Sequence, residues 1–334
     1  MRSNPTRAGL TLLVVGTLLL SASPQAGAGT LYVTNQGSGS LALLDESSLA
    51  VRKVIPVGDR PWGVAVAPDG KSACASFAGG LVIVNLETGL VEHQAALGGP
   101  GMGLTMSRDG ALCFVAVQRG DGDRLVAVER SAARIPGQVP IGERAFGVYL
   151  SRDGRTLYVP EHDGFSMSVI DVASLATRRT NPLRPLGEGA FDKPHYLATS
   201  PDGGTLYLPF QGRALVTIDT GTLTAPSHPL MIDAHQHGIA ISPDGGRLYL
   251  ANNPFGGQGS LSEIDTRTFQ ELRRIPLEKD HEQVALDATG RRVYLTGGFA
   301  LGGHDELTVV DLATGTVTRA GTGGRRPFAI LRVP

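Results

Sequence analysis

Residues 234–251, AHQHGIAISPDGGRLYLA, hold a complete β-hairpin and the densest group of potential ligands in the chain. Residues 239–242 and 247–251 are short runs rich in β-branched and aromatic side chains. The Pro-Asp-Gly-Gly cluster between them supplies the positive φ that a tight turn needs. Just ahead of the first run stand His235 and His237. At a spacing of two in extended backbone their imidazoles are expected to project to one side as a ligand pair.

The turn recurs. APDG (67–70), SRDG (107–110), SRDG (151–154), SPDG (200–203) and SPDG (242–245) are followed by a degenerate DATG (287–290), with final glycines 40, 44, 49, 42 and 45 residues apart. That period is the length of a four-stranded propeller blade. Three strand types can be counted independently. First strands start at 63, 103, 147, 196, 238, 283 and 328; second strands read LYV, ACA, CFV, LYV, LYL, LYL and VYL; third strands follow the pattern LALLD (41–45) or LVIVN (81–85). Each count gives seven. The repeats begin with a second strand (31–34) and finish with a first strand (328–333), so one blade is expected to be assembled from both ends. The predicted fold is an all-β, seven-bladed β-propeller with four strands per blade, its ring closed by pairing the C-terminal strand with the N-terminal blade.

Arg2 and Arg7 precede an apolar run over 8–22, and Ala26-Gly27-Ala28 fits the small-x-small rule for cleavage. Residues 1–28 therefore read as a signal peptide, leaving residues 29–334 as one propeller domain, periplasmic or secreted. The apolar run is shorter than the roughly 20 residues of a membrane-spanning helix, so no stable membrane span is expected after cleavage. Without Arg2 and Arg7 there are 28 basic and 31 acidic residues, a formal charge of −3, and no basic stripe, which argues against a nucleic-acid partner. Cys74 and Cys113 fall in equivalent second strands of neighbouring repeats but one residue out of register. They are expected to face opposite ways and to stay buried free thiols rather than form a disulfide. Gly70-Lys71-Ser72 lacks the first glycine and the helix of a phosphate-binding loop and reads as a hairpin turn.

LYVTN (31–35), the VIDVAS third strand (169–174) and IPVGDRPWGVAVAPDG (55–70) resemble the YVTN-type β-propeller repeat family, over essentially residues 29–334. Proteins similar to that family include exported surface and periplasmic propellers and the propeller subunits of quinohaem amine dehydrogenases. More distant relatives of the architecture include the d1-haem domains of nitrite reductases, lactonases and copper-dependent oxidases. The resemblance implies the fold and export but does not choose among these functions.

In a propeller, the residues leading into the inner strands surround the mouth of the central channel. Aligning the first strands places Trp62, Met102, Phe146, His195, His237, Glu282 and Phe328 in one column. His162, His235, His281 and His304 lie in loops of the same face, whereas His93 and His228 lie near fourth strands. Glu161, Asp163, Asp192, Asp233, Asp280, Asp305 and Glu306 crowd the same sector. A lone loop histidine is usually solvated; convergence from consecutive blades is what singles these out. His195, His237 and His281 are expected to share a transition metal ion (copper, iron or zinc), with His162, His235 and His304 as further ligands and Glu282 as the acid/base. This predicts a funnel that binds a metal or small polar ligand, with metal-dependent oxidoreductase activity as the first reading. The alternatives are a non-catalytic propeller subunit or scaffold that offers this face to an exported redox partner, and a lactonase or lyase.

Overall fold

The computed structural model describes residues 29–183, 193–230, 235–254, 258–297 and 303–334. The expected signal segment, residues 1–28, and Asp192 and Asp233 lie outside the described residues. Twenty-eight strands form seven antiparallel sheets of four, the predicted seven-bladed propeller. No helix among the described residues is long and apolar enough to cross a membrane.

Blade 1 joins the two ends of the chain. Pro327–Val333 is its innermost strand, followed outward by Thr30–Asn35, Ser40–Asp45 and Val51–Pro56. Thr30 lies opposite Val333 and Tyr32 opposite Leu331. The Glu46 carboxylate ties this junction: it takes Arg332 Nε at 3.0 Å and the Gly29 backbone N–H at 3.0 Å. The other inner strands are Val64–Val66, Gly101–Met106, Tyr149–Leu150, Ala198–Thr199, Gln236–Ile241 and His281–Leu286. Burial falls outward across each blade, from a wholly buried second strand such as Ser72–Phe77 to a largely exposed fourth such as Val91–Ala95.

The repeated turns work as the sequence demands. Their final glycines take φ of 67° to 80°, a region costly for other residues. In the five Asp-Gly turns the aspartate before the glycine accepts the backbone N–H two residues on, as Asp109 does from Ala111 at 3.0 Å and Asp244 from Gly246 at 3.0 Å.

The hydrophobic core is divided among the blade interfaces. Tyr32, Tyr158, Tyr207, Tyr249 and Tyr294, the centres of the second strands, each pack against the following blade. The leucine or valine on either side faces the preceding blade. This alternation corrects the expectation for the cysteines, because Cys74 and Cys113 form a disulfide, with Cα atoms 6.7 Å apart. Cys74 stands at a tyrosine position and faces forward, whereas Cys113 stands one residue earlier in its strand and faces back. Adjacent blades meet through opposite faces, so the one-residue offset is what brings the two sulfurs together within the blade 2–blade 3 core. The disulfide closes a sequence separation of 39 residues. Replacing both cysteines by alanine should lower unfolding stability by about 2–4 kcal/mol; denaturant unfolding of the two proteins side by side measures it, and equal midpoints would contradict it.

Candidate metal centre in the funnel

The ladder of hydrogen bonds between first and second strands breaks at the column residues. Register shifts fall between Gly101 and Leu104, between Gln236 and Ile239, and between His281 and Val284, so Met102, His237 and Glu282 sit in bulges. In blades 4 and 5 only isolated bridges at Ala145 and Pro194 precede the column residue. A bulge re-aims a side chain that would otherwise alternate across the blade. Here it turns the column residues toward the channel.

Neighbouring blades fix the backbone at these points. Thr34 donates its hydroxyl to the Trp62 carbonyl at 3.1 Å, Ser76 to Met102 and Thr296 to Phe328, each reaching from one blade to the next. Asn253 plays this part for blade 7, donating to the His281 carbonyl at 2.7 Å and accepting its N–H at 2.8 Å. Several column residues are followed by glycine because the next inner strand runs alongside. A Cβ at Gly238 would lie 2.6 Å from the Glu282 carbonyl oxygen, and one at Gly103 would lie 2.2 Å from that of Phe146.

Three column residues converge. Among the described residues, His195, His237 and Glu282 each offer a ligand atom, all within 4.8 Å of one another. His237 Nδ1 and Glu282 Oε2 share a hydrogen bond of 2.8 Å. The His195 ring packs edge-on against His237 with centroids 4.6 Å apart, and its buried Nδ1 has no hydrogen-bond partner. Burial, with the neighbouring His237 and His162 adding to it, pushes His195 well below the usual imidazole range. The ring is therefore neutral and can donate a lone pair. Two neutral or hydrogen-bonded imidazoles and a carboxylate make a set of donors suited to zinc or ferrous iron.

The remaining predicted ligands lie elsewhere. His281 does not join His195 and His237. It is adjacent to Glu282 in the bulged strand and is turned away, its Nε2 2.8 Å from Thr308 Oγ1 and its ring 4.9 Å from His304. Burial, aided by His304, pushes His281 down to about 3. His304 Nε2 lies 3.3 Å from the Asp280 carbonyl. His162 reaches the funnel wall, with its ring 5.4 Å from His195, but its Nδ1 is engaged by Asp163 at 2.8 Å. His235 lies just before the strand Gln236–Ile241 and is not one of the three converging donors; burial, with the neighbouring His237 adding to it, pushes it below the usual imidazole range. Among the carboxylates, Glu161 is buried and accepts the Gly142 N–H at 2.7 Å together with the Ser166 and Ser168 hydroxyls. Glu306 pairs with Lys279 at 2.7 Å.

The converging residues open onto a cavity of about 520 Å³. Its opposite wall is aromatic: Trp62 stacks on Phe146 with centroids 5.5 Å apart and meets Phe328 at 4.3 Å. Arg60, Arg144 and Arg326 also line it, as do Gln118 and Gln211. These were not singled out in the sequence, although each arginine stands two residues before a column position, an offset that alignment of the first strands contains.

No family model matches the sequence, and no curated protein sequence matches it. Solved structures are similar in fold. Kuenenia stuttgartiensis hydrazine synthase has a TM-score of 0.71 at 16% identity, covering 92% of this chain and 99% of that one. The periplasmic gluconolactonase PpgL of Pseudomonas aeruginosa has a TM-score of 0.72 at 16% identity, again over 92% and 99%. The dihydro-heme d1 dehydrogenase NirN, solved in complex with DHE, has a TM-score of 0.67 at 16% identity, over 90% of this chain and 65% of that one. At these identities the likeness establishes the propeller and nothing of the chemistry.

The close approach at Gly238 gives a test of how the centre is held. Gly238→Ala should force the Glu282 backbone away and destabilise the protein by about 1–3 kcal/mol, read by urea unfolding. An unchanged midpoint would mean that the two inner strands are not packed as described.

Proposed function

We propose that this chain is an exported propeller of the YVTN type whose funnel holds one divalent transition metal, zinc or ferrous iron, at His195, His237 and Glu282. The observation that carries the reading is the convergence of these three donors beside an open cavity, with the buried His195 Nδ1 lacking a partner. Three protein ligands leave coordination positions free, and the cavity gives a small molecule access to them. A metal so placed polarises a bound carbonyl or activates water, or, as iron, takes part in electron transfer. Metal-dependent oxidoreductase chemistry is the first reading. Lactone hydrolysis, the activity for which PpgL is named, uses the same open position. Export is supported by the Cys74–Cys113 disulfide, since such bonds persist in oxidising compartments.

One observation favours a second reading. The 2.8 Å His237–Glu282 hydrogen bond satisfies both groups without an ion, which suits a metal-free funnel that serves as the docking face for an exported redox partner.

Elemental analysis of protein refolded or purified with zinc or ferrous iron should give close to one ion per chain. His237→Ala should weaken metal binding by more than the ~10–100-fold typical of lost outer-sphere contacts, with the circular dichroism spectrum unchanged. Wild-type protein that retains no metal through gel filtration would leave the docking reading in its place. Sequencing the N-terminus of the exported protein should give Gly29; an intact Met1 would contradict processing after Ala28.

A further inference from the structure

The three arginines of the funnel form a repeated feature that the metal centre does not use. Arg60, Arg144 and Arg326 each stand two residues before a column residue, leading to Trp62, Phe146 and Phe328 respectively. All three have left-handed backbone, with φ of 48°, 55° and 55°, a conformation that costs a non-glycine residue about 1–2 kcal/mol. The second-strand loops stitch this position in place: His162 N–H donates to the Arg144 carbonyl at 3.3 Å and Gln36 N–H to the Arg326 carbonyl at 2.9 Å.

The nearby carboxylates are occupied in a consistent way. Asp123 accepts the backbone N–H of Arg144 at 2.7 Å, and Asp305 accepts that of Arg326 at 2.9 Å. They hold the backbone of the arginines. The Arg144 guanidinium approaches Asp163 at 3.5 Å, but that carboxylate is also held by His162 at 2.8 Å and by Lys193 at 2.5 Å. Arg60 pairs with its own neighbour Asp59 at 3.1 Å, with 69% and 74% of the two side chains exposed; such a pair is weak and readily exchanged. Among the described residues, the only carboxylate lining the cavity is Glu282, which is bonded to His237. Three arginines and one engaged carboxylate therefore line the cavity, in a chain whose net charge is slightly negative. Field lines concentrate in such a cleft and draw in anions.

Each arginine stands two residues before an aromatic ring that lines the same cavity. Guanidinium forks match the geometry of a carboxylate, and the Trp62–Phe146–Phe328 wall matches a flat or apolar carbon frame. We infer that the funnel binds a small organic carboxylate, its acid group held by Arg60, Arg144 and Arg326 and its carbon frame laid against Trp62, Phe146 and Phe328. The inference names the ligand class for the funnel of the proposed function and rests on the reading of that funnel as a ligand site. It does not require the metal, because the arginines and aromatic rings are not among the three converging donors.

Trp62 is the single tryptophan of the chain and lines the cavity, so its fluorescence reports binding directly. Titration of the full exported chain with benzoate, phenylacetate and 2-oxoglutarate should give a saturable change for at least one acid, and none for benzamide or phenylacetamide at the same concentrations. Arg144→Gln and Arg326→Gln should each weaken that acid by ~10-fold, the value of one charge-assisted contact. Inorganic phosphate should compete only weakly, since it lacks the carbon frame. Acid binding should be the same with and without EDTA in the buffer, which separates failure of this inference from failure of the metal reading. Amides that bind as well as acids, arginine variants with unchanged affinity and normal melting temperature, or no saturable signal from any of the three acids would each overturn the inference.

Discussion

Everything in this molecule depends on the antiparallel pairing of Pro327–Val333 with Thr30–Asn35. Without it, the strand Thr30–Asn35 has an open edge, and the faces of blades 7 and 2 that meet blade 1 lose its innermost strand. The junction is reinforced by a buried charge. Glu46 is 8% exposed, and a carboxylate so buried is costly unless fully paired. Here it is paired with Arg332 and with the Gly29 N–H, so the same group that seals the C-terminal strand also fixes the start of the described chain. A ring closed in this way holds all seven inner strands at a fixed distance from one axis. The inner strands line a cavity of about 490 Å³, and the converging donors line another of about 520 Å³.

The narrowness of the ring produces the site. Inner strands from adjacent blades approach so closely that Gly103 and Gly238 have no space for a Cβ. The preceding residue then has one direction left, into the channel. The bulges at Met102, His237 and Glu282 complete this turn, and the hydroxyls of Thr34, Ser76 and Thr296 pin the backbone from the next blade. A metal or ligand site needs side chains held within fractions of an ångström. In this fold the precision comes from contacts between blades, and the residues that supply it lie outside the column they position.

Much of this was legible in the chain. The turn spacing and three agreeing strand counts gave the blade number, and alignment of the first strands placed His195, His237 and Glu282 in one column. What could not be read was direction within a bulge. His281 and Glu282 are neighbours, and strand alternation says only that they point apart; which of them faces the channel depends on where the ladder breaks, and that is set by Asn253 from the adjoining blade. The cysteines failed for a related reason. Alternation within one sheet correctly put Cys74 and Cys113 on opposite faces, but the relation between sheets in a ring reverses the conclusion. Periodicity carries information along a strand, whereas the contacts that matter here run across blades.

The His237–Glu282 hydrogen bond decides how the donors can be used. Glu282 is nearly wholly buried, 2% exposed, and so cannot remain as an isolated carboxylate without large cost. With His237 Nδ1 at 2.8 Å it has a partner in the absence of an ion, and the imidazole is fixed in one orientation. Two coordination modes follow. If a metal is bound through His237 Nε2, the carboxylate remains on Nδ1, raises the basicity of the ring and acts as an orienting group. If Nδ1 itself takes the metal, the hydrogen bond is replaced and Glu282 becomes the third ligand. The His195 Nδ1, already desolvated and without a partner, loses nothing in either case. The three donors therefore already lie together, and in the second mode an ion would exchange one hydrogen bond for coordination bonds.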